Sequence, residues 1–311
     1  MKCMAAYLEL HYSGKLAERV EAARDLLQNC HVCPRHCAVN RLAGETGKCH
    51  TARLAIVSSY GPHFGEEAPL VGKHGSGTVF FTNCNLKCVF CQNYSISQLG
   101  NGTEVDKEEL ARMMLALQAR GCHNINLVSP THVVPQILEA LGTAIELGLR
   151  LPLIYNSGGY DSVESLKILD GIVDIYMPDM KYSDEKIAEE LSGIENYPSV
   201  NRAAVKEMHR QVGDLQISED GIAVRGLLIR HLVLPHKLAG TKDTINFIAD
   251  EISQNSYVNI MAQYHPHHKA SQTPQLARPL LREEFLEATE LAHKAGLSRL
   301  DKVHPVIARA V

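Results

Sequence analysis

The residues best equipped for chemistry are three thiols packed into one short stretch. Cys84, Cys88 and Cys91 stand at spacing C-x3-C-x2-C, directly after the apolar run Thr78-Val79-Phe80-Phe81 and the strand-end residue Asn83. Thiolates held this closely suit a soft-ligand metal, either tetrahedral zinc or iron in an iron–sulfur cluster. A structural zinc site is normally closed by four ligands, and the next cysteine, Cys122, lies beyond an expected helix. An incomplete set leaves one coordination position for a substrate or cofactor.

A second set stands apart from the first. Cys30, Cys33, Cys37 and Cys49 make two tight intervals and a fourth thiol returned through the loop Gly44-Glu45-Thr46-Gly47-Lys48. Four cysteines complete a zinc site or a second iron–sulfur cluster, with His31, His36 and His50 as alternative ligands. The nine cysteines are grouped like metal ligands rather than like a disulfide framework, which points to a reducing compartment.

The triad, with Phe90 before its last cysteine and Gln92-Asn93-Tyr94-Ser95-Ile96-Ser97 after it, resembles the cluster loop of the radical S-adenosylmethionine (SAM) enzymes. Within them it is similar to pyruvate formate-lyase activating enzyme-like, PflX-type proteins. The resemblance implies that Cys84, Cys88 and Cys91 ligate a [4Fe-4S] cluster whose fourth iron is chelated by SAM. Asn83 and Phe90 are then cofactor neighbours. The chemistry implied is reductive cleavage of SAM to a 5′-deoxyadenosyl radical for hydrogen abstraction, with activation of a glycyl-radical enzyme as the narrower expectation. The short pyruvate formate-lyase activating enzyme lacks the N-terminal four-cysteine segment.

These residues need a scaffold, and the chain alternates short apolar runs with helical periodicity from residue 78 onward. Strands are expected at Thr78–Phe81, Asn124–Val128, Leu151–Tyr155, Val173–Met177, Leu227–Leu234 and Val258–Gln263. Helices are expected at 107–120, 134–147, 162–169, 242–252 and 283–295, so parallel βα units follow. Six units fit the partial (β/α)6 barrel of the resembled family, and the fold class is α/β with an N-terminal cysteine-rich extension. The expected division is 1–77 for a helix and the four-cysteine extension, and 78–311 for the barrel, with a hairpin inserted near 212–225. Between them Leu54–Val57 reads as a short lead-in strand, and Gly61–Pro69 as a loop whose His63, Glu66 and Glu67 face solvent.

A parallel barrel places ligand chemistry at the C-terminal strand ends. There the chain carries Ser129-Pro130-Thr131-His132, Asn156-Ser157-Gly158-Gly159, Asp179-Met180-Lys181, Arg230 and Gln263-Tyr264-His265. The first loop departs from the glycine-glycine-glutamate motif of many radical SAM proteins and is similar to PflX-type relatives. By resemblance Ser129, Thr131, Asn156, Ser157, Asp179, Lys181, Arg230, Gln263 and Tyr264 are cofactor contacts, and His265 is a substrate contact. Arg230 interrupts an apolar run and needs a polar partner if it points inward, while His231 takes the opposite strand face.

With 311 residues, 45% hydrophobic, the chain can bury a large core. Its net charge of −4 offers no field for nucleic acid, and tryptophan is absent. No run reaches the roughly 20 apolar residues of a membrane span, so a cytoplasmic protein is expected. The implied partners are an electron donor such as flavodoxin or ferredoxin, and a protein substrate. Competing readings are a nonradical iron–sulfur electron-transfer protein, a zinc-binding interaction protein, and a SAM methyl-transfer enzyme.

Overall fold

The computed structural model describes residues 5–301. Cys3 and the part of the expected 78–311 unit beyond 301 lie outside the described residues. Among the described residues there are nine strands: β1 (Ala55–His63), β2 (Ser76–Phe81), β3 (Thr103–Val105), β4 (Ile125–Val128), β5 (Leu153–Ser157), β6 (Ile175–Pro178), β7 (Gln216–Ile217), β8 (Ala223–Leu232) and β9 (Tyr257–Met261).

β2, β4, β5, β6, β8 and β9 pair in that order, every contact parallel. β1 lies antiparallel to β2, and β3 antiparallel to β1, so the α/β fold has a mixed sheet. Between consecutive parallel strands the chain returns through helices. Lys107–Ala119 starts on a capping box in which Asp106 and Glu109 satisfy each other's backbone N–H groups. Val134–Glu146 opens with Pro135 in its first turn, where a missing N–H costs nothing.

Period-two alternation sorts the strand residues between two cores. Leu153, Tyr155, Tyr176, Leu227 and Ile229 join the large core shared with the helices. Ile154, Ile175, Met177 and Leu228 point the other way and pack with Leu70 and Leu215 in a separate apolar cluster. On the inner face, further along the same strands toward their C-terminal ends, come Asn156, Asp179 and Arg230.

Several expectations change. The lead-in strand runs on to His63, through Gly61 and Pro62, which the sequence reading assigned to a loop. Pro62 is tolerated because that stretch of β1 pairs only with β2, leaving the proline's missing donor on a sheet edge. Glu66 and Glu67 are not solvated. Glu67 is only 5% exposed and accepts a hydrogen bond from Asn259 Nδ2 of β9 at 2.9 Å. The first helical segment is split at Gly14, whose left-handed φ of 76° separates Tyr7–Tyr12 from Lys15–Asp25. The charged connection after β6 forms two helices, Glu185–Ser192 and Tyr197–Val212, and β7 with β8 makes a hairpin around Ser218–Ile222. Among the described residues no helix is long and apolar enough to cross a membrane.

Candidate functional site

The cysteine loop leaves β2 through a sharp backbone turn. Asn83 has φ 69°, uncommon for a residue with a side chain, and its N–H donates to the Ile96 carbonyl at 2.9 Å. Its amide Nδ2 reaches His50 O at 3.4 Å and Thr51 Oγ1 at 3.3 Å, so the segment after Cys49 touches the segment before Cys84.

Each sulfur of the triad has a hydrogen-bonding group within reach. The Leu86 N–H donates to Cys84 Sγ at 3.4 Å, Ser192 Oγ donates to Cys88 Sγ at 3.0 Å, and Cys91 Sγ and Ser97 Oγ are 3.1 Å apart. Tyr182 and Ser192 hydroxyls are 2.7 Å apart, which orients the serine. Burial pushes the Cys84 thiol up to about 12, with Cys88 and Cys91 reinforcing the shift and Lys181 opposing it. Buried thiols resist ionising unless positive charge comes to them. All eight described cysteines are free of disulfides.

Phe90 does not stand open to a ligand; it anchors the loop, meeting Tyr264 and Tyr182 edge-on at 5.9 and 6.3 Å. Tyr264 is buried and donates to Leu276 O at 2.8 Å. Gln263 gives its carbonyl to Gln92 Nε2 at 3.2 Å, and His265 is exposed just beyond it. The His265–His268 group holds no metal-binding set, and His268 stacks on Tyr94 at 4.8 Å.

At the strand ends, Asp179 joins two cations. Lys181 Nζ lies 2.5 Å from Asp179 Oδ2, and Arg230 Nε donates to Oδ1 at 2.7 Å. Arg230 also donates to Asn156 Oδ1 at 2.7 Å and comes within 4.0 Å of Glu66. Burial opposes the Asp179 charge, but Arg230 and then Lys181 outweigh it and hold the carboxyl below its ordinary range. In Lys181 burial is likewise overcome, by Asp179 and then Cys88, so its ammonium is favoured. His231, on the opposite face, is fully buried between Met180 O at 2.7 Å and Thr241 Oγ1 at 2.9 Å.

Thr131 and Ser157 have their hydroxyls committed elsewhere. Thr131 Oγ1 and Tyr155 Oη donate to Asp161 Oδ1 at 2.7 and 2.8 Å, and Ser157 Oγ donates to Oδ2 at 2.6 Å. Burial raises the Asp161 carboxyl and the three hydroxyls counter it. Ser129 turns with φ 59° and hands its N–H to Asn156 O at 2.9 Å, joining the β4 and β5 ends.

Sequence reasoning missed Asp161, Ser192 and Arg41, and placed Glu66 and Glu67 in solvent. Asp161 had a local signal, an acid directly after the Gly158-Gly159 loop. Ser192 reaches Cys88 from a hundred residues downstream, and no sequence interval reports that contact.

Cys30, Cys33, Cys37 and Cys49 surround one small cavity of about 10 Å³, whose wall also includes Arg41 and His132. Gly47 packs so closely that a Cβ there would stand 2.6 Å from the Cys37 Cβ and Sγ. Burial pushes the Cys33 thiol up to about 12, and the other three cysteines add to it. Among the described residues no three cysteine, histidine or acidic side chains close on a single metal ion, in either cysteine set.

Comparison with known proteins gives these features a family context. The model of the Radical SAM superfamily matches residues 78–248, more than half of the chain. An uncharacterized protein of Methanocaldococcus jannaschii is 35% identical over 289 residues, covering 90% of this chain and 78% of that one. A second uncharacterized protein of that organism is 24% identical over 295 residues, covering 86% and 81%. Among solved structures, a radical SAM methyltransferase from Sphaerobacter thermophilus is 13% identical with a TM-score of 0.47, over 73% of this chain and 65% of that one. Streptococcus suis SuiB bound to precursor peptide SuiA is 14% identical with a TM-score of 0.48, over 71% and 46%. The chain spans less than two thirds of the length of either solved chain.

Proposed function

The chain belongs to the radical SAM superfamily and is an enzyme of that type, and on that premise we propose that it cleaves SAM at a [4Fe-4S] cluster held by Cys84, Cys88 and Cys91. The observation that carries the reading is the triad itself: three sulfurs, each beside a hydrogen-bonding group, with the Lys181 ammonium near enough to ease ionisation of Cys84. Three thiols in one loop are the donor type and number that a cluster with one open iron would take. With both groups bound, the chemistry supplied is one-electron cleavage of the sulfonium and hydrogen-atom abstraction by the 5′-deoxyadenosyl fragment.

The chain's own residues bind, orient and exclude water. Asp179 fixes the directions of Lys181 and Arg230, two partly buried cations suited to an anionic group such as a carboxylate. Arg230 is locked from a second side by Asn156, which limits the reorganisation needed when a ligand arrives. Asp161 ties the β4 and β5 ends into one rigid rim. The Phe90–Tyr264 contact and the apolar cluster around Leu70 keep solvent from two sides.

The finer reading is a partial (β/α)6 barrel of the PflX-type, pyruvate formate-lyase activating enzyme-like branch, reduced in the cytoplasm by flavodoxin or ferredoxin and acting on a protein such as a glycyl-radical enzyme. The six parallel strands in sequence order support the barrel. Anaerobic reconstitution with iron and sulfide, followed by reduction with SAM, should yield 5′-deoxyadenosine, and Cys84→Ala, Cys88→Ala and Cys91→Ala should each abolish it. Full product formation in all three variants would overturn the assignment. S-adenosylhomocysteine in place of 5′-deoxyadenosine would move the enzyme to methyl transfer.

A further inference from the structure

The end of the helix Glu185–Ser192 meets the cysteine loop residue by residue. Gly193 closes the helix in the left-handed region, φ 64°, and its N–H donates to Glu189 O at 2.8 Å. The last two helical residues then lie against the loop in register: Leu191 O accepts from the Val89 N–H at 2.9 Å, and Ser192 Oγ donates to Cys88 Sγ at 3.0 Å. Arg35 fastens the same two segments, its Nε donating to Asn85 O at 2.9 Å and its Nη1 to Gly193 O at 3.0 Å. Bonds on either side of Cys88 therefore fix where the serine stands.

A serine inside a helix ordinarily turns its hydroxyl to solvent or back onto the carbonyl one turn earlier. Ser192 does neither. It is 0% exposed, and its hydroxyl meets Cys88 Sγ and, at 2.7 Å, Tyr182 Oη. A thiolate has no proton to give, so toward an ionised Cys88 the serine must donate, and it takes its own hydrogen bond from the tyrosine. Tyr182 is also buried, and Tyr197 and Phe90 pack edge-on against its ring at 5.4 and 6.3 Å, which holds it in place. Burial keeps water from competing for either hydroxyl, and two hydroxyls in series polarise one another. The other sulfurs are served from within their own loop, Cys84 by the Leu86 N–H at 3.4 Å and Cys91 by Ser97. Cys88 alone of the three has its hydrogen bond from a distant helix.

We propose that Ser192, oriented by Tyr182, is a positioning residue that sets the reduction potential of the cluster on Cys84, Cys88 and Cys91, an inference that rests on the SAM-cleaving reading above. A hydrogen bond to a ligand sulfur favours the reduced, more negative cluster over the oxidised one, so it raises the potential. The first electron then needs a less powerful reductant.

Redox titration of the full chain, reconstituted without oxygen, kept free of SAM and followed by electron paramagnetic resonance, reads the potential directly. Ser192→Ala should make the one-electron reduction about tenfold less favourable, a potential lower by about 59 mV, with iron and sulfide content unchanged. Tyr182→Phe, which leaves the serine in place but unoriented, should shift it the same way by less. In deuterated solvent the reduced wild type should show one more exchangeable-hydrogen coupling than Ser192→Ala, a signature that a packing role alone does not produce. A cluster whose potential and couplings are the same in wild type and Ser192→Ala would overturn the proposal and leave the SAM-cleaving reading standing. Failure of the wild type to assemble any iron–sulfide cluster would overturn both. If Ser192→Ala does not fold, Tyr182→Phe carries the test, and a potential that stays put or rises there would overturn the proposal.

Discussion

Asp179 is the residue on which two partly buried cations depend. Asp179→Asn keeps the shape but takes the anion from Lys181 and leaves Arg230 with only Glu66 at 4.0 Å, and breaking an ion pair from one side costs at most about 3–5 kcal/mol when it is fully buried. Denaturant unfolding should register that loss, and binding of SAM should weaken with it. His231 sets a pH dependence of its own. Burial depresses it to about 4, against about 6.5 when unfolded. Below pH 6.5 the unfolded chain therefore binds the extra proton, and stability falls as pH drops toward 4. At pH 5 the loss is roughly 2 kcal/mol relative to pH 7, and His231→Asn should remove that part of the slope in paired unfolding curves. At this scale the sequence was most legible where ligands lie close along the chain. Cys84, Cys88 and Cys91 sit within eight positions, so spacing marked them as soft-metal ligands, and the family resemblance narrowed zinc or iron–sulfur to a cluster. Arg230 was visible as a charge in an apolar run, but its partners Asp179 and Asn156 come from strands 51 and 74 residues away.

Among the elements, the ends of β4 and β5 are bound through one carboxylate. Asp161→Ala strands the hydroxyls of Thr131, Tyr155 and Ser157 in a buried place and should cost about 3 kcal/mol or more; Asp161→Asn should cost less, since its oxygen still accepts. Thermal unfolding of the two variants should rank them in that order. Gly159 serves the same rim by having no side chain. Its φ is 74°, and a Cβ would stand 2.0 Å from the Asp179 carbonyl, so Gly159→Ala must displace the β6 end that carries Asp179. Turnover should fall more steeply than the unfolding midpoint. The alternation of helices and parallel strands was readable because periodicity is a local property. β1 was only partly readable: Gly61 and Pro62 are loop signals, and only the knowledge that this stretch lies at an edge makes them compatible with pairing. Glu66 and Glu67 were misread for a related reason, because a charged pair beside a proline looks solvated until the chain is seen to turn inward across the sheet.

For the molecule as a whole, that inward turn sets the shape of the working space. The segment after β1 carries Glu67 to Asn259 of β9 and Glu66 toward Arg230 of β8, and sinks Leu70 among Ile154, Ile175, Met177 and Leu228. Leu70→Ala should cost about 2–5 kcal/mol, as a buried leucine with no exposed surface does, measurable as a lowered denaturant midpoint. The cysteine loop, meanwhile, is laced from above by Ser192 and by the chain after β9, where Lys269 N–H donates to Val89 O at 2.8 Å. Leu70, from the first seventy positions, thus packs against strands drawn from residues 154–228. Leu70 has a corollary for assembly: its apolar partners Ile154, Ile175, Met177 and Leu228 come from β5, β6 and β8, so it can be buried only once those three strands lie side by side.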